Sequence, residues 1–417
     1  MITQAGVPLR GSVRVLDVVS QALQLGWHIP HWTTVRNWLL RTGLARWQHG
    51  LQPHEDWVFL IDHAVQSGTQ KCLVSLGIRQ SEYQQLDRPL TLADMTLLGL
   101  EVMPRSTKIE VHQALAELHK AVGDSVGVVH DKASDLSAGV GLLQKQKPEV
   151  QSIVDCKHKA ACLLKKRLEN DPRWKELQNR AGQSKKQLQQ TPLAFLAPPS
   201  QRAKARYMNT DGLVVWGDRT LAVLEGKLDL PEEVKRNLEQ AQEKLGWLRD
   251  YREDLNKYKG WLETMEVVVT HVGRHGLSAD TAQKVEEELR KKGSLCDLGQ
   301  ELLAFVKEQS KGLKGQERMP GSTEVVETCM GKLKRLEGEQ SKGGFTGLVL
   351  GLGAVIGKKD DRPAHQYLDQ VSTKEVRAWI KSNLGVTVQA ARRHLALAFR
   401  RSQQKPSPRS SRNLPLT

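Results

Sequence analysis

Apolar positions along the chain follow two different periods, and the change from one to the other marks its organisation. Between residues 11 and 48 they recur every three or four residues: "SVRVLDVVSQALQLG", a break at Gly26 to Pro30, then "HWTTVRNWLLRTGL". That spacing predicts two amphipathic helices joined by a short connection. From residue 57 the pattern turns to short, continuous apolar runs: "WVFLID", "KCLVSLGI", "MTLLGLEVM", "SVGVVHD" and "VQSIVD". Runs of this length, rich in β-branched residues, predict buried strands. Helical-period stretches sit among them: "STKIEVHQALAELHKAV" with a Ser/Thr start, "DLSAGVGLLQKQK", and "CKHKAACLLKKRLEN" after the last run. The predicted order is therefore β-β-β-α-β-α-β-α.

Helical patterning rich in Lys, Glu, Gln and Leu then continues over residues 160–318, broken by "TPLAFLAPPS". Within it, "DLPEEVKRNLEQAQEKLGWLRDYREDLNKYKGWLETMEVVV" predicts one long helical stretch, with Pro231 where a helix starts. Residues 321–400 are helical again. The longest apolar run, "GFTGLVLGLGAVIG" from Gly344 to Gly357, is too short and glycine-rich for a membrane span, which needs about 20 residues. It predicts a buried helix whose glycines permit close packing. The tail from Arg400 holds five basic residues, no acids and several Ser and Pro, a composition that predicts disorder.

Composition narrows the function classes. Lys and Arg number 62 against 47 Asp and Glu, a net charge of +15 over 417 residues, which favours a polyanionic partner. The five cysteines, Cys72, Cys156, Cys162, Cys296 and Cys329, are dispersed and form no CxxC pair. That argues against a disulfide framework and a zinc ribbon and suits a reducing cytoplasm. The start, "MITQAGVPLRGSVRV", has no apolar signal core. A soluble protein without a membrane partner is expected.

Candidate chemistry lies at strand ends. Asp62 closes the first apolar run and Asp131 the fourth. In the predicted order these two strands are neighbours, so both carboxylates belong to one sheet edge. Either aspartate alone is more often a helix cap. As a pair they repel, and need a cation or a shared proton. Two hard divalent ions bridged by such acids activate a water and stabilise a leaving oxygen in phosphodiester chemistry. A third acid is wanted from a late helix. In "GSTEVVETCMGKLKRLEGEQSKGGFTG", Glu324 and Glu327 are three apart and share a helix face, with Lys332 and Lys334 following where they could hold phosphates. Glu324 also reads as an acidic first turn complementing the helix dipole. Thr33, Thr34, Arg36 and Asn37 stand on the first turns of the second predicted helix, a helix-turn-helix pattern fit for DNA contact. Of the ten tryptophans, Trp27, Trp32, Trp38 and Trp47 lie in this small unit, where core packing is the expected role.

Together "FLID", "VVHDKASD", "IVDCKHKAACLLKK" and "STEVVETCMGKLKRLEGEQSKGGFTGLVLGLGAVIGK" resemble bacterial insertion-sequence transposases of the RNase H-like, Asp-Asp-Glu kind. The likeness runs from about the helix-turn-helix to residue 400. It implies an RNase H-like catalytic core with a large helical insertion and an N-terminal helix-turn-helix: residues 1–50 for DNA binding, 51–160 and 319–400 for the two parts of the core, 161–318 for the insertion and 401–417 for a basic tail. It implies Asp62, Asp131 and Glu327 as a triad holding Mg²⁺, with Mn²⁺ as substitute. Double-stranded DNA, as transposon ends and target, would be the partner, and a homodimer or higher oligomer the working state. Nucleoid association in the cytoplasm follows. Asp155 and His158 resemble an Asp-x-x-His element that hAT-like and related transposases carry after the second Asp. A structural hydrogen bond is the expected role there rather than zinc binding. Trp247 resembles the aromatic that stabilises a flipped base in such enzymes, although Trp216, Trp247 and Trp261 also suit a core.

Three other readings stay open: a structure-selective DNA nuclease of the same fold, a non-enzymatic DNA-binding protein (a regulator or a transposase that no longer cuts), and a solvated helical scaffold with accidental acids, against which the ordered strand-acid pattern counts. "GLGAVIGKK" is rejected as a phosphate loop, because its spacing is off by one and no Ser or Thr follows Lys358. Residues 373–399 resemble a second helix-turn-helix, with Arg392, Arg393 and His394 on its later helix; it could contact DNA or pack behind the core, and packing with its basic edge touching backbone is the expected arrangement.

Overall fold

Five strands form where the apolar runs predict them: β1 Trp57–Ser67, β2 Gln70–Arg79, β3 Thr96–Met103, β4 Ser125–His130 and β5 Gln151–Val154. The computed structural model describes residues 2–49, 51–67, 70–200, 210–228, 230–231, 235–338, 346–357, 364–386 and 388–404. The strands order β3-β2-β1-β4-β5 in one mixed sheet. The pairs β1–β2 and β2–β3 are antiparallel, and β1–β4 and β4–β5 parallel. Antiparallel neighbours need only a turn, whereas parallel ones need a crossover. This mixed α/β sheet is compatible with the expected RNase H-like core.

Helices α1 (Ile2–Ala5), α2 (Leu9–Ala22) and α3 (Trp32–His49) precede the sheet, and the single turn α4 (Gln80–Tyr83) follows β2. The crossover into β5 is α6 (Ser134–Gln146), while α5 (Lys108–Val122) leads from β3 to β4. Thr107 caps α5 by accepting from the Ile109 N–H, as the Ser/Thr start predicts. After β5 comes α7 (Cys156–Asn170), then α8 (Pro172–Leu188), α9 (Thr210–Leu224), α10 (Leu238–Leu245), α11 (Arg252–His275), α12 (Thr281–Lys291) and α13 (Asp297–Gln309). The chain closes with α14 (Glu324–Gly338), α15 (Gly351–Val355), α16 (Ala364–Gln370), α17 (Thr373–Leu384) and α18 (Val388–Gln404).

Strand alternation sends successive side chains to opposite faces of the sheet. Trp57, Phe59, Ile61 and Val128 pack beneath α5 and α6 with Val111, Leu115, Leu136 and Val140. Val58, Leu60, Val129 and Ile153 face the larger core, built with α3, α7 and the helices after it. Helix α3 is wedged into that core. Its Gly43 backbone meets α15 so closely that an added Cβ would stand 1.9 Å from the Leu350 carbonyl oxygen, and one on Gly353 2.2 Å from the Gly43 oxygen. The glycines of the apolar run thus do permit close packing, although the run is a 3₁₀ turn over Gly347–Leu350 followed by a short α-helix. Arg41 on α3 adds a bond from Nε to the Val371 carbonyl at 2.6 Å and another to the Leu368 carbonyl, tying down the end of α16.

Several expectations are corrected. β1 runs five residues past Asp62, because β2 continues to pair with it through Ser67↔Gln70 after β4 has ended. Asp62 is therefore mid-strand, at the point where the parallel pairing stops. The predicted single helix across residues 229–269 is broken by a 3₁₀ segment, Gly246–Tyr251, which brings the fully buried Leu248 and Tyr251 into line at i, i+3. Trp27 and Trp38 are exposed at 50% and 40%, against the expected core role; Trp47 meets it, edge-on to Trp379 and bonded to the Leu98 carbonyl. Trp216 is buried, and Trp261 packs partly against the core. Helix α18 does not pack behind the core, since every residue from Ala391 to Gln403 is exposed. It also carries the first residues of the expected disordered tail, to Gln404; the rest of that tail lies outside the described residues.

Candidate functional site

The edge where β1 and β4 part company carries the first two acids. Ile61 pairs with His130, so Asp62 and Asp131 stand one step beyond a register pair of adjacent parallel strands. Alternation assigns Asp62 to the face of Val58 and Leu60, and Asp131 to that of Val129: the larger-core face. Both are half-buried. Asp62 accepts from the His63 N–H at 2.7 Å through Oδ1, and Asp131 from the Ala133 N–H at 2.9 Å through Oδ1. Asp131 thus braces the turn before α6 with one oxygen but does not cap the helix, whose N-cap, Ala133, has no side-chain cap bond. No basic side chain pairs with it among the described residues. His130 is buried, which lowers its basicity. Its Nδ1–H donates to the Asp131 carbonyl while Nε2 accepts from the Ser152 hydroxyl at 3.0 Å, so the ring is a neutral brace for the turn.

The late helix lies on that same face: α14 packs against β1. Its start is set by Asp155. The Asp155 side chain is buried, accepts from the His158 N–H at 2.7 Å as the cap of α7, and accepts from both the N–H and the hydroxyl of Thr323 at 2.6 Å. The Cys156 N–H donates to the Gly321 carbonyl at 2.9 Å beside it. Asp155 is thus a cap rather than a residue of the helix face shared with His158, and it clamps the end of β5 to the entry of α14. The structural role expected of the Asp-x-x-His element is what its geometry provides. His158 itself leaves Nδ1 buried with no hydrogen-bond partner among the described residues.

Along α14 the acids diverge. Glu324 is exposed and ion-paired with Lys157, Oε1 to Nζ at 2.7 Å. Glu327 is half-buried, and Lys334, two turns on, shares its side of the helix and is exposed. Lys332 turns instead to a small cavity of about 130 Å³ lined by Ile2, Ala5, Pro8 and Arg335. On α3, Thr33 is exposed and Thr34 and Asn37 half-buried, while burial lowers the basicity of the Arg36 guanidinium, which reaches towards Gly347. Trp247 is packed: Arg180 covers its ring at 4.7 Å, Tyr251 meets it edge-on at 5.5 Å, and its N–H donates to the Ser184 hydroxyl.

The opposite sheet face holds a cluster that sequence reasoning missed. His63, next to Asp62, points under the sheet to Asp135 in the first turn of α6, Nε2 to Oδ2 at 3.0 Å. Lys71 of β2 reaches the same oxygen at 2.9 Å, and the Ser106 hydroxyl lies 3.2 Å from His63 Nε2. Burial lowers the basicity of His63 and keeps it neutral. Its Nδ1 has no hydrogen-bond partner among the described residues, so Nε2 carries the proton and donates to Asp135. Burial alone would raise the Asp135 pKa. The hydrogen bonds from Lys71 and Ser106 overcome it and hold the carboxyl well below the usual carboxylate range. Only the second Asp of "HDKASD" hinted at this cluster.

As a metal site, the arrangement supplies the right donors: three carboxylates from two strand edges and a crossing helix suit a hard, oxygen-seeking divalent cation. The side chains are not drawn together, however; among the described residues no three His, Cys, Asp or Glu groups gather closely enough to hold an ion. The donor set thus fits in kind.

No protein-family model matches the chain, and no curated protein does. Among solved structures, the Drosophila P element transposase strand transfer complex aligns over 88% of this chain and 88% of that one, at 10% identity and a TM-score of 0.36. Among the described residues, no helix is long and apolar enough to cross a membrane.

Proposed function

We propose that the chain is a DNA transposase with an RNase H-like core, performing metal-dependent phosphodiester hydrolysis and strand transfer through Asp62, Asp131 and Glu327. One observation carries the reading: two acids one step beyond a register pair of parallel strands, on the sheet face against which the acid-bearing helix α14 packs. A structural turn explains a single aspartate, but not two at one edge of one sheet face.

Asp62, Asp131 and Glu327 would hold two Mg²⁺, or Mn²⁺ in its place. Such ions, when bound, activate the attacking water or 3′-hydroxyl and neutralise charge on the leaving oxygen. The chain's own residues do the rest. Asp155 fixes where α14 begins and so where Glu327 sits. Lys334, on the Glu327 side of the helix, offers a cation to a phosphate. Thr33, Thr34 and Asn37 at the start of α3 offer polar contacts to duplex DNA, Arg36 less so because it is drawn inward. Glu327 is preferred to Glu324 because it is half-buried on α14, whereas Glu324 is exposed. Two transposon ends must meet in one complex, so a dimer or larger assembly on DNA, in the nucleoid, belongs to the reading.

A second reading has one observation in its favour. The acids are not gathered, as they would not be in a DNA-binding protein that has ceased to cut. The deciding experiment is Mg²⁺- or Mn²⁺-dependent cleavage of DNA carrying the flanks of this gene, wild type beside Asp131→Asn. Cutting at defined ends by wild type alone supports the transposase. Binding without cutting by either supports the non-cutting reading, and equal cutting by both overturns the triad.

A further inference from the structure

We propose that α18 is a second DNA-contact element, one that grips the phosphate backbone without reading sequence. The proposal rests on DNA being the substrate, but not on the triad. Helix α17 is a fixed platform. Ser372 and Glu375 close a reciprocal capping box at its start, Val376 and Leu384 are buried, and Trp379 meets Trp47 of α3 edge-on at 5.9 Å. The platform ends at Gly385, whose φ of +60° is a left-handed conformation that glycine adopts without strain. Beyond it α18 leaves the body altogether, with Ala391 to Gln403 exposed throughout.

The projecting helix carries Arg392, Arg393, Arg400 and Arg401 with His394, and no acid anywhere in "VQAARRHLALAFRRSQQ". None of the four arginines has an acidic partner among the described residues. At 3.6 residues per turn, Arg393, Arg400, Arg401 and His394 share one side, while Arg392 falls on the other, beside Phe399. Some surface arginines elsewhere are paired, Arg88 with Asp94, Arg173 with Asp254 and Arg290 with Glu286, while others such as Arg14, Arg105 and Arg377 are exposed without an acidic partner among the described residues. What sets α18 apart is four on one helix with no acid. Isolated helices of this length are marginal in water without a partner. Four unpaired guanidiniums argue against a second copy of α18 as that partner, because they would repel each other. A polyanion answers the charge, and the planar fork of arginine suits phosphate oxygens. The exposed Leu395 and Phe399 lie on the opposite side and take no part in such a contact, while the exposed Leu397 sits among the arginines.

The test measures affinity of the full-length protein for a random-sequence duplex across a salt series. Wild type is compared with the combined Arg392→Gln, Arg393→Gln, Arg400→Gln, Arg401→Gln variant and with the matching Arg→Lys variant. Each lost phosphate contact should flatten the slope of log K against log salt by about 0.9, so the Gln variant should lose roughly 2 to 4 units of slope while the Lys variant keeps most of it. The melting temperature should not move, because α18 supports nothing. An unchanged slope in the Gln variant overturns the proposal. So does unchanged DNA binding with lost binding to phosphatidylserine vesicles, which would assign the helix to a lipid surface. A flattened slope in a protein that never cleaves would leave α18 standing and sink the transposase. An unchanged slope in a protein that cleaves would do the reverse.

Discussion

Asp131 and Asp135 lie four residues apart around one turn, yet the two faces of the sheet treat them in opposite ways. Under the sheet, Asp135 receives Lys71, His63 and Ser106 and is held strongly ionised. On the other face, Asp131 receives a backbone N–H from Ala133 and no basic side chain among the described residues. A carboxylate that the fold uses is engaged on several sides by its own chain, Asp135 by Lys71, His63 and Ser106, and Asp155 by two N–H groups and a hydroxyl. A carboxylate presented beside other acids with no internal cation leaves room for an external one.

Exchanging the two roles by substitution is the sharpest way to break that contrast. Asp131→Asn should lower metal-dependent cleavage at least about 10³-fold, the several kcal/mol of transition-state stabilisation expected of a lost metal ligand, with little change in melting temperature. Single-turnover cleavage and a thermal melt on the same preparation decide it. A variant that melts early and cuts normally would put Asp131 in the same class as Asp135.

Next in size is the clamp that sets the third acid. Asp155→Ala leaves the His158 N–H and the Thr323 N–H and hydroxyl without their buried acceptor, at a cost of about 2–4 kcal/mol. Denaturant unfolding measures this, and Asp155→Asn should recover part of it. If Asp155→Ala is as stable as wild type, α14 is positioned by its apolar face alone.

Asp135→Asn should be milder, roughly 1–3 kcal/mol, with DNA cleavage kept in proportion to the folded fraction. Its signature is in the pH dependence. The folded Asp135 pKa is depressed, so its contribution is complete above the unfolded value near 3.9 and disappears as pH falls below it. His63 is also depressed by burial, so below about 6.5 the unfolded chain takes up a proton that the folded one resists. Both effects reduce stability on acidification. In Asp135→Asn, the loss of stability below pH ~4 should be blunted. If that acid loss persists undiminished, the staple is elsewhere.

The central strands were legible because burial on both faces of a parallel strand writes a continuous apolar run, as in "SVGVVH", while the edge strand β5, "QSIV", is half-buried and shows only a short apolar signal. The pairing of Asp62 with Asp131 followed from strand order alone. What the pattern could not carry was length beyond the sheet's parallel part: the β1–β2 hairpin extends past Asp62 through residues whose polar character says turn. The His63–Asp135–Lys71 cluster was invisible because its three members come from β1, α6 and β2 and converge only through register. The Asp155 role was half legible. Its spacing to His158 suggested a hydrogen bond, but Thr323 lies 168 residues away and no local signal names it. Helix α18 misled for a simple reason: an apolar strip at helical spacing is usually a buried face, and here nothing covers it.

The smallest expected effect separates the two glutamates and so extends the comparison to α14. Glu324 is the Asp135 of this helix, an acid matched by its own lysine, though at an exposed site where such a pair contributes about 0.2–1 kcal/mol. Glu324→Gln should therefore melt within about a degree or two of wild type and cleave within roughly twofold, since an exposed ion pair holds neither the fold nor an ion. Glu327→Gln should behave like Asp131→Asn, folded and inactive. Measured side by side, the two variants either place the third acid on the half-buried side of α14 or reverse the assignment. If Glu324→Gln is the inactive one, Lys157 is not its permanent partner. The 2.7 Å pair would then be a resting contact that a bound cation displaces, and an internal lysine would no longer mark an acid as merely structural.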